Sequence, residues 1–233
     1  KTKLEAALEK TKLEEETYQI EKVEVQNELT AWENQKEPEP SRSEAVIRNR
    51  QRLEAMNIPY QEFYKVIEFG QKLDETACSR LEEALLRMGI LDAIIVDEEY
   101  KEQVLQWEKG CEDRYLFAGN KHAEKSLLDI LELNEELNDI FSSQRLTKIL
   151  GNIAYDTESE MTIQPDGTYR MGVLTGTVTG EYEPGFLGQK ARERQRLAKI
   201  EDCKQRLCEL EERIQQCEKE KQNLVERKNI LAK

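Results

Sequence analysis

The chain has 233 residues, of which 36% are charged and 6% are aromatic, and its formal net charge is −13. This length suffices for one globular domain of about 150 residues together with long exposed helices, and the composition is not that of a disordered chain. No run of 18 apolar residues is present and the first residues are charged. We therefore expect a cytoplasmic protein without a membrane span or a signal peptide.

Both ends of the chain carry a heptad pattern. Residues 1–36 place apolar side chains at six of nine positions that alternate in steps of four and three residues. Residues 199–231 do the same, with only Lys221 and Lys228 interrupting the series. All eleven glycines and all five prolines lie between Pro38 and Gly188, so neither end contains a helix breaker. The pattern predicts one coiled-coil helix at each end.

A helix with so narrow an apolar face is stable only when it packs on another helix. Two helices of similar length that flank one domain predict an antiparallel coiled coil within the chain. If Trp32 packs near Ile200, Glu15 lies close to Cys217 and Lys221, where the polar residues can pair and fix the register. The predicted domains are an ascending arm (1–36), a globular domain (37–188) and a descending arm (189–233).

The middle segment predicts a small mixed domain, so the fold class is α+β. Helices are expected over residues 42–56 and 74–88, with Asp74 as N-cap of the second and Gly89 ending it. Shorter helices are expected over 99–108, 124–132 and 143–150, and buried strands over 91–96 and 114–118. After Gly151 β-branched residues alternate with turn glycines, which predicts a hairpin or meander with Asp166 and Gly167 in a turn.

No pattern of residues predicts an enzyme. The segment GEYEPGF (180–186) lacks the lysine of a phosphate-binding loop, and the single histidine, His122, has no neighbouring ligand for zinc. The acidic run Asp97 to Glu99 is typical of a solvated helix start. The five cysteines are odd in number and form no C-x-x-C pair, which favours reduced structural thiols. We expect no cofactor and no metal.

Two features favour binding to macromolecules. Glycines recur at four-residue spacing in the β-rich segment, which allows a strand edge to approach another backbone; the alternative is that they form the bends of a hairpin. The candidate dimer interface comprises Tyr169, Met171, Gly172, Val173, Gly176, Val178 and Gly180. The helices next to the arms are basic, and their candidate DNA-binding residues are Arg42, Arg48, Arg50, Arg52, Lys190, Arg192, Arg194 and Arg196. Pairing of these residues with acids of the domain is the alternative.

Two stretches carry a resemblance to a known family. Residues 58–96 are similar to a pattern in which a proline-led aromatic segment precedes an E-A-L-x-x-x-G-L-L-D-A helix and strand. The matching residues are Glu83, Ala84, Leu85, Gly89, Leu91, Asp92 and Ala93, with Ile90 in place of a leucine. Residues 166–196 are similar to a D-G-x-x-R-x-G-x-L-x-G hairpin and an I-G-x-x-A-R-x-R helix entry, through Asp166, Gly167, Arg170, Gly172, Leu174, Gly176, Gly188, Ala191 and Arg192. GEYEPGFL departs from that pattern.

These motifs resemble the hinge of the SMC-like JetC subunits of Wadjet plasmid-defence systems, of the type II branch. The resemblance implies that the chain is the homodimerisation hinge of a larger ATPase, which extrudes DNA loops and acts with kleisin-like and nuclease subunits. It implies a homodimer with candidate DNA contact near the arms. The alternative is a stand-alone coiled-coil scaffold or adaptor whose acidic domain binds a protein partner. Heptads and ATPase motifs in the flanking reading frame distinguish the two.

Overall fold

The computed structural model describes residues 2–34, 36–106, 108–120, 122–134 and 143–230. It divides into two compact units. One is formed by the two ends of the chain, Lys1–Glu37 and Glu193–Lys233, and the other by Pro38–Arg192. Among the described residues, no helix is long and apolar enough to cross a membrane.

The two ends form an antiparallel coiled coil within the chain. Helix α1 (Thr2–Glu33) and helix α7 (Gln189–Ile230) are the longest of the described helices. Their shared core is built around Val25, Trp32, Cys203 and Leu210, all of which are buried. Burial of this narrow apolar face supplies the stability that each helix lacks alone. The predicted fold class, an α+β domain with an antiparallel intramolecular coiled coil, is confirmed.

Charged pairs between the two helices follow one antiparallel register. Lys22 Nζ lies 2.9 Å from Glu211, and Lys228 Nζ lies 3.1 Å from Glu5. Lys221 pairs with Glu15, as the register predicted from Trp32 and Ile200 requires. The lysines that interrupt the heptad pattern of α7 therefore meet carboxylates of α1 and specify the register.

The domain begins with helices whose ends the sequence encodes. Helix α2 (Glu44–Ala55) has Ser43 as N-cap, whose hydroxyl accepts a hydrogen bond from the Val46 amide. Helix α4 (Glu75–Arg87) starts at Asp74, which accepts a bond from the Ala77 amide, and it ends before Gly89 with φ of +73°. The shorter helices are α3 (Phe63–Val66), α5 (Lys101–Val104) and α6 (Ser143–Gly151).

In the described part of the chain, nine short strands form three small sheets. The strands are β1 (Tyr60–Glu62), β2 (Ile67–Phe69), β3 (Ile94–Val96), β4 (Tyr115–Leu116), β5 (Leu131–Leu133), β6 (Ala154–Tyr155), β7 (Met161–Ile163), β8 (Thr168–Met171) and β9 (Leu174–Thr177). Their orders are β1-β3-β4, β2-β5 and β6-β7-β8-β9. In the first sheet β1 is antiparallel to β3 and β4 is parallel to it. Strands β7, β8 and β9 form the predicted meander, with Asp166 and Gly167 between β7 and β8.

Two apolar clusters hold the domain together. The larger one joins α4 and α6 to the sheets through residues such as Leu85, Ile95 and Leu150. The smaller one lies between α2 and one face of the first sheet and contains Leu53, Ile94 and Val104. The alternation of Ile94, Ile95 and Val96 along β3 places its side chains in both clusters, which explains why this strand reads as a continuous apolar run.

The prediction of a helix over residues 124–132 is wrong. Ser126 caps a single 3₁₀ turn at Leu127–Asp129, and the chain then continues as strand β5. Ser126 and Asp129 form a capping box, which is typical of a helix start, and the Asp129 carboxylate accepts a bond from the Ser126 amide at 2.8 Å. The helix ends after one turn because Leu131–Leu133 pairs with β2, and this tertiary pairing overrides the local preference.

Candidate interaction surfaces

The hairpin of β8 and β9 projects apolar side chains into solvent. Val173 is fully exposed at the turn, and Leu174 and Met171 are 50% and 39% exposed. The turn needs a positive φ at Gly172, where φ is +61° and the space that a Cβ would occupy has no atom within 4 Å. Apolar residues that are exposed at the tip of a hairpin are typical of a surface that binds another protein.

The other candidate interface residues have roles inside the domain. Val178 is buried in the larger core, and its amide donates to the Gly167 carbonyl at 2.9 Å. A Cβ on Gly176 would lie 2.3 Å from the Tyr169 hydroxyl, so this glycine makes room for the ring of its own hairpin. Gly180 has φ of +86° at a bend beside Arg80. Val178 is thus a core residue, and the glycines serve turns and packing within the chain.

Strand β9 is the open edge of its sheet. The bond between Val178 and Gly167 and the Cα partnership of Met171 with Leu174 fix which backbone groups of β9 face β8. In an antiparallel pair the bonded positions alternate, so the N–H and C=O groups of Thr175 and Thr177 point away from β8. An edge of this kind can pair with a strand of another chain.

Two of the candidate DNA-binding arginines lie among carboxylates: Arg50 is buried and the Arg42 side chain is 12% exposed. Arg42 donates two bonds of 2.8 Å to the carboxylate of Asp92. The Arg50 side chain is 6% exposed and lies 3.0 Å from Asp92 and from Asp113, while Glu62 lies 3.4 Å from Arg42. Burial lowers the pKa of Arg50, but the hydrogen bond and charge of Asp113 outweigh it and raise the pKa above its usual value. These two arginines fasten α2 and the residues before it to the segments that precede β3 and β4, and they are not accessible to phosphates.

The six remaining basic candidates divide by exposure. Arg192 is buried and donates to the Phe186 carbonyl at 2.9 Å, and Arg52 contacts Glu108 at 3.3 Å. Arg196 holds Glu193 through two bonds of 3.0 and 2.8 Å. Arg48, Lys190 and Arg194 are exposed. Arg194 and Arg196 belong to the coiled-coil unit and the other candidates belong to the domain unit.

A buried carboxylate that was not a candidate organises the segment before α7. Glu82 of α4 is fully buried and accepts bonds from the Tyr182 hydroxyl at 3.0 Å, from the Gly185 and Leu187 amides at 2.8 Å, and from the Phe186 amide at 3.1 Å. The GEYEPGFL segment, where the sequence departs from the resembled pattern, is therefore held to α4 by Glu82, and the Ser79 hydroxyl of α4 also donates to the Tyr182 carbonyl.

Burial raises the pKa of Glu82, and this outweighs the amide bonds that lower it, of which those from Gly185 and Leu187 are the strongest. A signal for this residue was present in the sequence. Glu82 lies beside Leu81 and one turn from Leu85 and Ser79, on the apolar face of an amphipathic helix, where a carboxylate must have partners. The sequence does not reveal which groups donate to Glu82, because they lie about a hundred residues further along the chain and most of them are backbone amides.

Among the described residues, no group of three or more His, Cys, Asp or Glu side chains is arranged to hold a metal ion. The five cysteines are free thiols, and Cys203 and Cys217 are buried in the coiled coil. Burial raises the pKa of both thiols, which keeps them protonated and in the role of small apolar groups.

No protein-family model and no curated protein matches the chain. Several solved structures are similar to it, among them the following three. The Pyrococcus furiosus Smc hinge domain with an extended coiled coil is 18% identical, with 99% of this chain and 85% of that chain covered and a TM-score of 0.41. An asymmetric dimer of the Geobacillus stearothermophilus SMC hinge domain is 11% identical, with 94% and 98% covered and a TM-score of 0.42. The folded elbow of cohesin is 14% identical, with 99% and 37% covered and a TM-score of 0.34.

Proposed function

We propose that the chain is a homodimerisation hinge of an SMC-like protein and that it joins two coiled-coil arms. The observation that carries this proposal is the pairing of α1 with α7 in one antiparallel coiled coil, with a separate α+β unit inserted between them in the sequence. A chain that leaves and returns along the same coiled coil has a natural turning point in the inserted domain. The motifs of residues 58–96 and 166–196 support the same function.

The β9 edge and the hairpin tip are the dimerisation surface of this proposal. Thr175 and Thr177 supply outward-facing backbone groups, and Met171, Val173 and Leu174 supply apolar area. A specific dimer buries about 1,200 Å² or more in total, so neighbouring parts of the domain contribute as well. Strand pairing combined with apolar contact is a recurrent mode of association.

The test is the molar mass in solution, measured by size-exclusion chromatography with light scattering between about 1 and 100 μM. We expect a dimer. Thr175→Pro removes one outward-facing N–H and leaves the ladder with β8 intact, because proline is tolerated at edge positions whose N–H faces solvent. This variant should be a folded monomer. Thr175→Ala keeps the N–H and should remain a dimer. A monomeric unmodified chain would refute the dimerisation hinge.

A more specific proposal concerns the larger protein to which this hinge belongs. We infer an SMC-like ATPase of a plasmid-defence system of the Wadjet type, similar to JetC, which extrudes DNA loops with kleisin-like and nuclease subunits. Its support is the resemblance of the two motif stretches. The flanking reading frame tests it: heptads that continue on both sides and end in ATPase motifs favour this parent, and their absence favours the scaffold or adaptor.

DNA contact is proposed only for exposed basic residues, because the side chains of Arg42 and Arg50 are only 12% and 6% exposed. Arg48 and Lys190 of the domain and Arg194 of the coiled-coil unit are exposed. Reversing their charge to glutamate should weaken binding of duplex DNA and flatten its salt dependence, since fewer counterions are released. If affinity and salt slope do not change, the hinge makes no contact with DNA through these residues.

A further inference from the structure

Strand β1 is a second open edge of the domain. It is the outermost strand of the sheet β1-β3-β4. The Phe63 amide donates to the Ala93 carbonyl at 2.9 Å, and the Ile94 amide donates to the Arg114 carbonyl on the other side of β3. These two bonds fix the alternation along the ladder, so Gln61 faces β3, whereas the N–H and C=O groups of Tyr60 and Glu62 face outwards. Glu62 is also the N-cap of α3, and its carbonyl accepts the first bond of that helix. The edge thus offers an added strand the N–H groups of Tyr60 and Glu62 and the carbonyl of Tyr60.

A groove of about 530 Å³ runs along this edge. Its lining includes the five consecutive residues 58 to 62, so it extends along the strand. The rest of the lining is Glu39, Arg42, Glu54 and Lys65. Its volume is within the range of peptide and small-molecule sites in proteins. The groove offers an extended segment both a backbone ladder and space for side chains.

The accessible charges of the groove are negative. The Glu39 side chain is 48% exposed and Glu54 is exposed at the surface. The cationic side chains are the less exposed ones, with Arg42 at 12% and Lys65 at 23%. Arg42 is also neutralised by its two bonds to Asp92. Glu39 pairs with Arg42 at 2.8 Å and with Lys65 at 3.8 Å, and Glu54 accepts a bond from the Tyr60 hydroxyl at 2.9 Å. The lining still holds an excess of carboxylates, because Glu39, Glu54 and Glu62 outnumber Arg42 and Lys65. A strand that enters the groove therefore meets accessible carboxylates at the surface. The domain segment as a whole, residues 37–188, has a net charge of −14.

We propose that the β1 edge binds an extended, basic segment of a partner protein by strand addition. The partner's backbone bonds to Tyr60 and Glu62, and its lysine or arginine side chains lie against Glu39 and Glu54. Backbone pairing provides the affinity and the carboxylates select for positive charge. This site is separate from the β9 edge, and it gives the hinge a binding function beyond dimerisation.

The probe is an acetylated, amidated hexapeptide that alternates lysine and valine, titrated into the ¹⁵N-labelled Thr175→Pro chain so that dimerisation does not interfere. We expect the amides of Tyr60 and Glu62 to shift and to become protected from hydrogen exchange. The amides of Gln61 and Phe63 should be protected already. The same peptide with every amide N-methylated should not bind, and a glutamate–valine peptide should bind at least about tenfold more weakly.

Matched variants of the chain locate the charge selection. Glu39→Gln with Glu54→Gln should weaken binding of the lysine peptide about fivefold, as expected for two exposed ion pairs. Glu98→Gln with Glu99→Gln, which removes two exposed carboxylates outside the groove, should leave it unchanged. The proposal is overturned if the Tyr60 and Glu62 amides do not respond, or if the N-methylated peptide binds equally well. It is also overturned if these amides become protected with rising chain concentration and no peptide, because a second copy then occupies the edge.

Discussion

Replacement of Glu82 tests how the segment before α7 is held in place. Its Oε1 accepts bonds from the Tyr182 hydroxyl and from the Gly185 and Phe186 amides, and its Oε2 accepts from the Leu187 amide. Glu82→Gln keeps the shape but replaces one oxygen by an NH₂ group. If the amide oxygen takes the place of Oε1, the NH₂ group faces the Leu187 N–H, and two donors then oppose each other.

The magnitude follows from the number of donors left without an acceptor. A buried donor that loses its partner costs about 1–3 kcal/mol, and a bond to a charged group contributes about 1.5–3 kcal/mol. Glu82→Gln should therefore lower the free energy of unfolding of the domain by about 2–3 kcal/mol. Glu82→Ala removes the acceptors of all four groups and should cost about 4 kcal/mol or more.

The measurements are urea unfolding and native-state hydrogen exchange of the Gly185, Phe186 and Leu187 amides. We expect both variants to accelerate exchange at these three amides more than elsewhere in the domain. Glu99→Gln makes the same substitution at an exposed carboxylate and should change stability by less than about 0.5 kcal/mol. A Glu82→Gln chain with the stability of the control and unchanged exchange at the three amides would show that Glu82 does not anchor the segment.

Three further changes have definite expected outcomes. Arg50→Ala leaves Asp113 buried without its partner and should lower the domain's free energy of unfolding by about 3–5 kcal/mol in urea titrations; a loss below about 1 kcal/mol would contradict the ion-pair network. Cys203→Ser buries a hydroxyl in the coiled coil and should cost about 1–3 kcal/mol, whereas Cys208→Ser, at an exposed position, should cost nothing measurable in the same thermal scan. Because burial raises the pKa of Glu82 in the folded state, the unfolded chain releases this proton first, and stability should fall as pH rises above 4.5 through the folded pKa; the Glu82→Gln chain should lack this part of the pH dependence.

The elements that the sequence predicts well are those that depend on neighbours along the chain. The heptads of α1 and α7 repeat over many turns, and Ser43 and Asp74 cap the helices that follow them. Each of these signals uses a period or a cap within a few residues. The 3₁₀ turn that Ser126 caps shows the limit, because the apolar spacing and the capping box both favour a helix, whereas the residues that follow pair with the distant strand β2.

The candidate surfaces depend on neighbours that are distant in sequence, and there the sequence was less informative. Arg42 and Arg50 belong to a basic segment that is typical of a phosphate-binding patch. Their partners Asp92 and Asp113 lie elsewhere in the sequence and neutralise them. Val178 continues the two-residue alternation of strand β9. Its bond to Gly167 places it at the end of the hairpin that is far from the turn, where its side chain is buried in the core. Charge and periodicity identify residue types that can bind a partner, whereas the fold decides which of them remain accessible.

The surfaces that remain accessible on the domain are sheet edges rather than basic patches. Arg42, Arg50 and Arg192 contact groups of the domain itself, so the accessible surface is more acidic than the count of arginines suggests. That charge disfavours nucleic acid away from exposed basic residues such as Arg48 and Lys190, whereas the outward backbone groups of β1 and β9 can pair with an added strand. Side chains beside each edge then select the partner. The apolar tip at β9 favours a second copy of the same surface, and the carboxylates at β1 favour a basic segment.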